Sequence, residues 1–467
     1  METTRTPGAL VVGSGLAGLE CALTLAVNGF RVEVVSPGRV GRDGATHRVQ
    51  ALAPWVLVTA PWVRGDSPEL FLADLKRRGE GEERCGLAEV LAAEAHAAAR
   101  DLIEALDLEP LAGGPSTLPG DEFPRGLRCL TRGNHVLLAP LVKRCEVAGA
   151  RLSGRSLVVG IAANGGRATG ALVFDRATHK LRRVDADAVV LACGGVGAVF
   201  PVTTVPRWVR GTGLALASAA GALLHRPEGT QALPITATAP LYFPTSAALL
   251  SSRIRINGRT IVDFQDVEAI TRAIGKTLLR GATIVLEPSE VDGLSLPPYL
   301  RESAAFRTGS GVPLTVALHH GIGGVAIDTW GRTSLPGLYA CGEAAGGIQG
   351  RRRTMGTGLL EAFVFARRCA RAVCHDVRSA GPAPSAVEIL APPLAADAAL
   401  LEGRLDALMG ALVVLRPRRE VASALREVED WPVEGEASLD ERARLAGIRR
   451  LAAVAILKGE LARERVR

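Results

Sequence analysis

The chain has 467 residues, 48% of them hydrophobic and 22% charged, with a formal net charge of +7. That balance excludes an intrinsically disordered polymer, and the length predicts roughly two to three domains with a core that needs no staples. Eight cysteines with no CxxC pair and no zinc-ligand spacing exclude a disulfide scaffold and argue against a metal or iron–sulfur centre, leaving buried thiols of a reducing compartment.

In chain order, Ala9–Gly13 (ALVVG) predicts a short buried strand. Leu16–Phe30 predicts a helix that stops at Asn28-Gly29, and Arg31–Ser36 (RVEVVS) predicts a second strand, completing a βαβ unit. Between the first strand and the helix, Gly13-Ser14-Gly15-Leu16-Ala17-Gly18 fits GxGxxG. Gly13 permits the tight turn, Gly15 lets a pyrophosphate approach the backbone, and Gly18 lets helix and strand pack closely. The helix N-terminus then faces the phosphates. An acid for the ribose hydroxyls usually ends the second strand; here Glu33 comes early, and Ser36 at the turn offers a single bond.

Residues 66–107 predict two helices. The first is capped by Asp66 or Ser67, with Pro68 in its first turn and Glu69 favourable to the dipole. Gly113–Gly126 predicts a loop. Arg151–Ala192 alternates with period two, predicting an antiparallel hairpin that feeds back to a buried strand ending in Leu191-Ala192-Cys193-Gly194-Gly195. Thr212–Leu224 reads as a helix and 225–313 as a Pro-punctuated inserted lobe. Short strands over Gly323–Cys341 lead to Gly337-Leu338-Tyr339-Ala340-Cys341-Gly342-Glu343, which puts Glu343 at a strand end beside the ribityl chain of an extended flavin dinucleotide. A helix over Thr357–Arg378, a Pro-rich linker over Gly381–Ala395 and a small helical bundle complete the chain. The length and the two later glycine-rich strand ends favour FAD over a nicotinamide cofactor.

The start METTRTPGALVVGSG lacks the pattern of a signal peptide, and no apolar run reaches the ~18 residues of a membrane helix, so a soluble, cytoplasmic protein is expected. Basic residues are scattered except at Arg351, Arg352 and Arg353, and no aromatics interleave with that cluster. Nucleic-acid binding is therefore not expected; a positive potential that draws an anionic substrate or an acidic partner fits.

These motifs resemble the fumarate reductase/succinate dehydrogenase flavoprotein superfamily, and its L-aspartate oxidase branch most of all. The segments DSPELFLADLKRRG, VVSPGRVGRDGATHRVQAL, VVLACGGVGAVFPVTTVP, VPLTVALHHGIGGVAIDTWGRTSLPGLYACGEAAGG and RRRTMGTGLLEAFVFARR carry the resemblance. It implies an α/β architecture: a Rossmann-type FAD-binding domain (1–222 and 314–380), an inserted α+β capping domain (223–313) and a C-terminal helical domain (396–467). It implies FAD contacts at Ser14, Gly15, Leu16, Ala17, Ser36 and Pro37, through Ala45, Thr46, His47, Arg48, Val49, Gln50, Ala51 and Leu52, and at Val158, Val159, Thr212, Glu343, Gly358 and Leu359. A helix starting near Thr357 aims its positive end at the flavin. Relatives in membrane complexes attach FAD through a histidine five residues before the loop glutamine. Ala45 stands at that offset from Gln50 and His47 lies two residues later, so non-covalent FAD is expected.

The resemblance further implies hydride transfer between flavin N5 and a small anionic amino or carboxylic acid, with Arg353 and His319 as the catalytic residues that orient it. Oxygen, fumarate or a partner protein would be the electron acceptor. Three family side chains are replaced. The lobe histidine falls on Leu233, the proton-shuttling arginine on Val267, and the histidine of HGANR on Gln349. Arg272 matches a packing arginine, and Arg253, Arg255 and Arg259 are the nearby candidates for a substitute shuttle. Arg351 and Arg352 fit either a more anionic ligand or a solvated turn, and His320 is expected to be packing. The alternative is an FAD-carrying electron-transfer subunit of a larger complex, with an altered or absent dicarboxylate site.

Overall fold

The computed structural model describes residues 6–50, 55–118, 120–134, 136–237, 254–256, 259–261, 267–286, 308, 311–381, 383–410, 418–434 and 440–463. Gly8–Val12 (β1), Leu16–Val27 (α1) and Arg31–Val35 (β2) form the βαβ unit marked by the glycine motif. β1 is buried at every position, as a central parallel strand is when both faces of the sheet are covered; its unbroken apolar run follows from that. Ala45–Gln50 (α2) and Pro68–Gly79 (α3) follow. Ser67 caps α3, accepting a hydrogen bond from Leu70 N–H at 3.3 Å, with Pro68 in the first turn. Leu87–Ala105 (α4) buries an Ala/Leu face.

Arg151–Ser153 (β3) pairs in parallel with β2. Ser156–Asn164 (β4), Arg167–Asp175 (β5) and Lys180–Asp185 (β6) make the expected antiparallel hairpins, and Ala188–Leu191 (β7) returns to pair in parallel with β1. Thr212–Ala219 (α5) ends before the predicted Leu224 because Gly221 turns the chain out of the helix with φ 73°. In the inserted region, Thr230–Thr236 (β8) precedes the helix Val267–Leu278 (α6) and runs antiparallel to Val312–Gly321 (β9), with Gln231 opposite His320. Leu338–Ala340 (β10) completes a five-stranded parallel sheet in the order β10-β7-β1-β2-β3. Gly358–Ala380 (α7) packs on α1 and α4, and these elements share the main apolar core. Ala398–Leu408 (α8), Arg418–Glu429 (α9) and Glu441–Arg463 (α10) form the C-terminal bundle around a second core.

Two segments differ from expectation. The predicted loop Gly113–Gly126 runs at its end into a strand, Pro124–Thr131, that pairs with Val56–Thr59. The predicted linker also contains a strand, Glu388–Leu390, which extends the hairpin sheet by pairing with β4. Glu388–Leu390 is a three-residue edge strand. Pro124–Thr131 is the central strand of its sheet, paired with Val56–Thr59 on one side and Leu108–Pro110 on the other. In both cases the pairing with a sequence-distant strand, rather than local propensity, sets the element.

Beside α3, Arg125 is fully buried with Asp66 at 2.7 Å, Asp74 at 2.5 Å and Asp121 at 3.8 Å. Both Asp121 oxygens lack a hydrogen-bond partner. Burial pushes its carboxyl up to about 7 against the pull of Arg125. The unfolded chain releases this proton near pH 4, the folded chain only near 7, so Asp121 erodes stability as pH rises through that window. Asp121→Asn should remove roughly 4 kcal/mol of that decline, read as a flatter plot of urea-unfolding free energy from pH 4 to 8.

Candidate functional site

A cavity of about 630 Å³ extends from the turn after β1 to the start of α7, within the size range of cofactor sites. Gly13, Ser14, Gly15, Leu16 and Ala17 form one wall. Ser36 and Pro37 at the end of β2, Ala45 and Thr46 of α2, Val158 of β4 and Thr212 of α5 add to it. The glycines are dictated by space. Gly13 has φ 115°, and a Cβ there would lie 2.2 Å from the Ala192 carbonyl oxygen; a Cβ at Gly18 would lie 2.0 Å from the Gly13 carbonyl oxygen. This is the close turn and close helix–strand packing that a dinucleotide cradle requires. Ser14 Oγ donates to Ser36 Oγ at 2.8 Å, and Leu16 N–H donates to Thr46 Oγ1 at 3.2 Å. Glu33 is engaged elsewhere, 2.5 Å from Arg182 and 2.6 Å from the Ser153 hydroxyl.

Other candidate positions fall off this wall. Gly18 packs behind it. Val159 packs with Leu157 and Phe174. Arg48 pairs with Asp43 at 3.3 Å, and neither it nor His47 lines the cavity. Val49 and Gln50 close α2, with only their backbone described, and Ala51 and Leu52 lie outside the described residues.

The other end of the cavity is polar and buried. Glu343, Gly358, Leu359, His319, His320 and Arg353 line it. Glu343 follows β10 as expected; its Oε1 accepts from Gly321 N–H at 2.8 Å, and burial raises its carboxyl to about 7. His320 does more than pack: it faces the cavity with Nδ1 3.4 Å from Glu343 Oε2. His319 Nδ1 lies 2.9 Å from Thr204 Oγ1. Burial, with Arg353 close by, depresses its pKa to about 3, so its ring is neutral at pH 7.

Arg353 is 7% exposed and has no carboxylate within ion-pair distance among the described residues. Its Nη1 donates to Gln231 Oε1 at 3.2 Å, and its Nε has no partner. Burial lowers its pKa, with Glu361 and Glu343 opposing; a guanidinium remains a cation regardless. Its neighbours turn elsewhere. Arg351 lies 3.0 Å and Arg352 3.1 Å from Glu80. Of the three-arginine run, one side chain enters the cavity. A Cβ at Gly358 would sit 2.6 Å from Arg353 Nη2, so the first residue of α7 must be small for the guanidinium to lie there. Thr357 makes no side-chain cap to α7, which leaves the first N–H groups of the helix available to a ligand.

The replaced family positions are also placed. Leu233 is 1% exposed and opposite Ala317 in the β8–β9 pair. Gln231, two residues earlier, reaches Arg353. The pairing steps from Gln231–His320 to Ala232–Leu318, so the register shift passes over His319 on β9, and no sequence signal announces it. Gln349 ties the turn before α7, donating to Thr357 Oγ1 at 2.9 Å and Glu361 Oε2 at 2.7 Å and accepting from Thr354 N–H. Arg272 is exposed on α6. The side chains of Val267, Arg255 and Arg259, and all of Arg253, lie outside the described residues.

A parallel sheet, a glycine turn opening into a buried helix and one cavity running from that turn to a buried cationic pole define a dinucleotide-binding flavoprotein of the oxidoreductase class. The family model described as FAD binding domain matches residues 8–284 and 297–359. The chain is 30% identical to L-aspartate oxidase of Caulobacter vibrioides, over 90% of this chain and 86% of that one. It is 32% identical to L-aspartate oxidase of Streptomyces coelicolor, over 77% and 67%. It is 26% identical to a fumarate reductase (CoM/CoB) subunit of Methanothermobacter marburgensis, over 79% and 73%. In fold it is similar to Mycobacterium smegmatis Sdh1 in complex with UQ1, with a TM-score of 0.79 at 22% identity over 97% of this chain and 86% of that one. The chain belongs to the FAD binding domain family, within the aspartate oxidase/fumarate reductase group; it is an FAD-dependent oxidoreductase and FAD is its cofactor. Among the described residues, no helix is long and apolar enough to cross a membrane.

Proposed function

We propose that the protein transfers a hydride between flavin N5 and a small anionic amino or carboxylic acid, L-aspartate among them, whose carboxylate seats on Arg353. The observation that carries this reading is a buried guanidinium with an unpartnered Nε in the cavity wall, because an unpaired buried cation is costly unless a ligand completes it. Bound FAD supplies a two-electron acceptor at N5. The chain's own groups do the rest. Arg353 offers a carboxylate two parallel donors, held in place by Gln231. His319, neutral and fixed by Thr204, presents a ring nitrogen to an anion without adding charge. Glu343 and His320 keep a polar wall beside them.

In this reading, residues 1–222 and 314–380 form the FAD-binding domain, 223–313 the capping domain and 396–467 the helical domain of a soluble, cytoplasmic enzyme. Oxygen, fumarate or a partner protein takes the electrons. If L-aspartate is the substrate, the iminoaspartate product enters NAD biosynthesis. The apolar Leu233 and the inward-tied Gln349 favour a second reading, an electron-transfer subunit that keeps FAD but not a working dicarboxylate site. Anaerobic titration of the yellow protein with amino and dicarboxylic acids tests the two. Bleaching by L-aspartate or succinate supports the first. An inert flavin in a protein that co-purifies with a partner supports the second.

FAD is held without a covalent bond in this reading, since Ala45 offers no nucleophile and His47 does not line the cavity. Acid precipitation should therefore leave all the yellow colour in the supernatant; colour in the pellet would overturn this point.

A further inference from the structure

The C-terminal bundle is contiguous with the cofactor site. Leu445, on the second turn of α10, lines the same cavity as Ser36, Pro37, Leu157 and Trp208. In a βαβ dinucleotide fold the pyrophosphate lies on the glycine turn and the nucleoside extends past the end of the second strand. Ser36 and Pro37 therefore mark the adenosine end, opposite Glu343 and α7. Arg176 gathers this end together. It donates to the Pro37 carbonyl at 3.0 Å, pairs with Glu441 in the first turn of α10 at 2.6 Å, and lies 4.5 Å from the centre of the Trp208 ring. Leu445 packs against the Leu157, Val159 and Phe174 cluster behind β4 and β5. Buried contacts fix where α10 sits: Arg449 donates twice to the Val199 carbonyl, at 3.2 and 2.9 Å.

We infer that α10 is part of the FAD site: Leu445, Trp208 and the Arg176–Glu441 pair close the adenosine end of the pocket, so cofactor retention requires the docked C-terminal bundle. The inference rests on the flavin orientation of the proposed function and adds a wall to it. An apolar side chain and an indole face exclude water from an adenine more completely than the strand end alone. Linkage then runs both ways, and a nucleotide that binds only the docked state must stabilise the docking.

The test uses the full-length apoprotein with FAD and with ADP, which carries the adenosine end alone. Leu445→Ala and Trp208→Ala should each weaken FAD and ADP by about tenfold in equilibrium dialysis, the scale of losing one buried apolar contact surface. In the unaltered chain, which bypasses any folding defect of the variants, saturating ADP should slow hydrogen exchange in the first turns of α10 at least several-fold. FAD and ADP affinities within twofold of the unaltered chain in both well-folded variants, or α10 exchange indifferent to ADP, would overturn the inference. An unaltered chain that takes up FAD but not ADP would overturn the cofactor orientation on which the inference rests.

Discussion

Replacing Arg353 with glutamine should lower kcat/KM for the anionic substrate by about 10²–10³, with FAD still bound. The size follows from the burial of the guanidinium, 7% exposed with no carboxylate partner among the described residues. A substrate carboxylate desolvated against it loses roughly 3–4 kcal/mol when the cation is removed, because an uncompensated anion is left in a dry site. Arg353→Lys should recover part of that loss but not all, since an ammonium keeps the charge and forfeits the planar pair of donors. A further readout is internal. Arg353 contributes to the depression of His319 below its ordinary range, so the glutamine variant should let the His319 pKa climb from about 3, visible in the imidazole proton resonances as pH falls. Kinetics indifferent to position 353 would remove the seat of the proposed substrate.

The parts of this site written in local pattern were legible in the sequence. The glycine turn, the two flanking strands, the strand that delivers Glu343 and the helix that begins at Gly358 each depend on neighbours within a few residues, where periodicity and glycine placement operate. What was not legible depends on long-range packing. Arg351, Arg352 and Arg353 are chemically identical in the sequence; two Glu80 contacts and one cavity distinguish them only in space. Gln231 becomes a partner of Arg353 only through long-range strand pairing, which sets it opposite His320 beside a register shift that passes over His319. Cys21, Cys341 and Cys369 show no motif spacing, yet their sulfurs lie within 4.8 Å of one another where α1, the end of β10 and α7 converge. Leu445 reads as one more apolar position of a terminal helix, and nothing local to it indicates a nucleotide wall.

The three fingerprint glycines should fail in different ways, and the difference separates folding from cofactor approach. Gly13→Ala places a Cβ 2.2 Å from the Ala192 carbonyl oxygen at φ 115°, and Gly18→Ala places one 2.0 Å from the Gly13 carbonyl oxygen. Both obstacles are backbone, so α1 must move off the sheet, at a cost above about 4 kcal/mol in the range of the most damaging single substitutions. These variants should be purified without flavin, or not at all, with a sharply lowered Tm. Gly15 is another matter. Its φ of −75° suits any residue, and an added Cβ meets only Thr46 Oγ1, at 3.2 Å. The apoprotein has little reason to require glycine at that position; the requirement comes from a pyrophosphate pressed against the backbone. Gly15→Ala should therefore keep the apoprotein Tm within a few degrees and still weaken FAD binding by about tenfold or more, measured by dialysis. Equal FAD affinity in Gly15→Ala and the unaltered chain would mean that no phosphate approaches this turn, whatever the strand order around it.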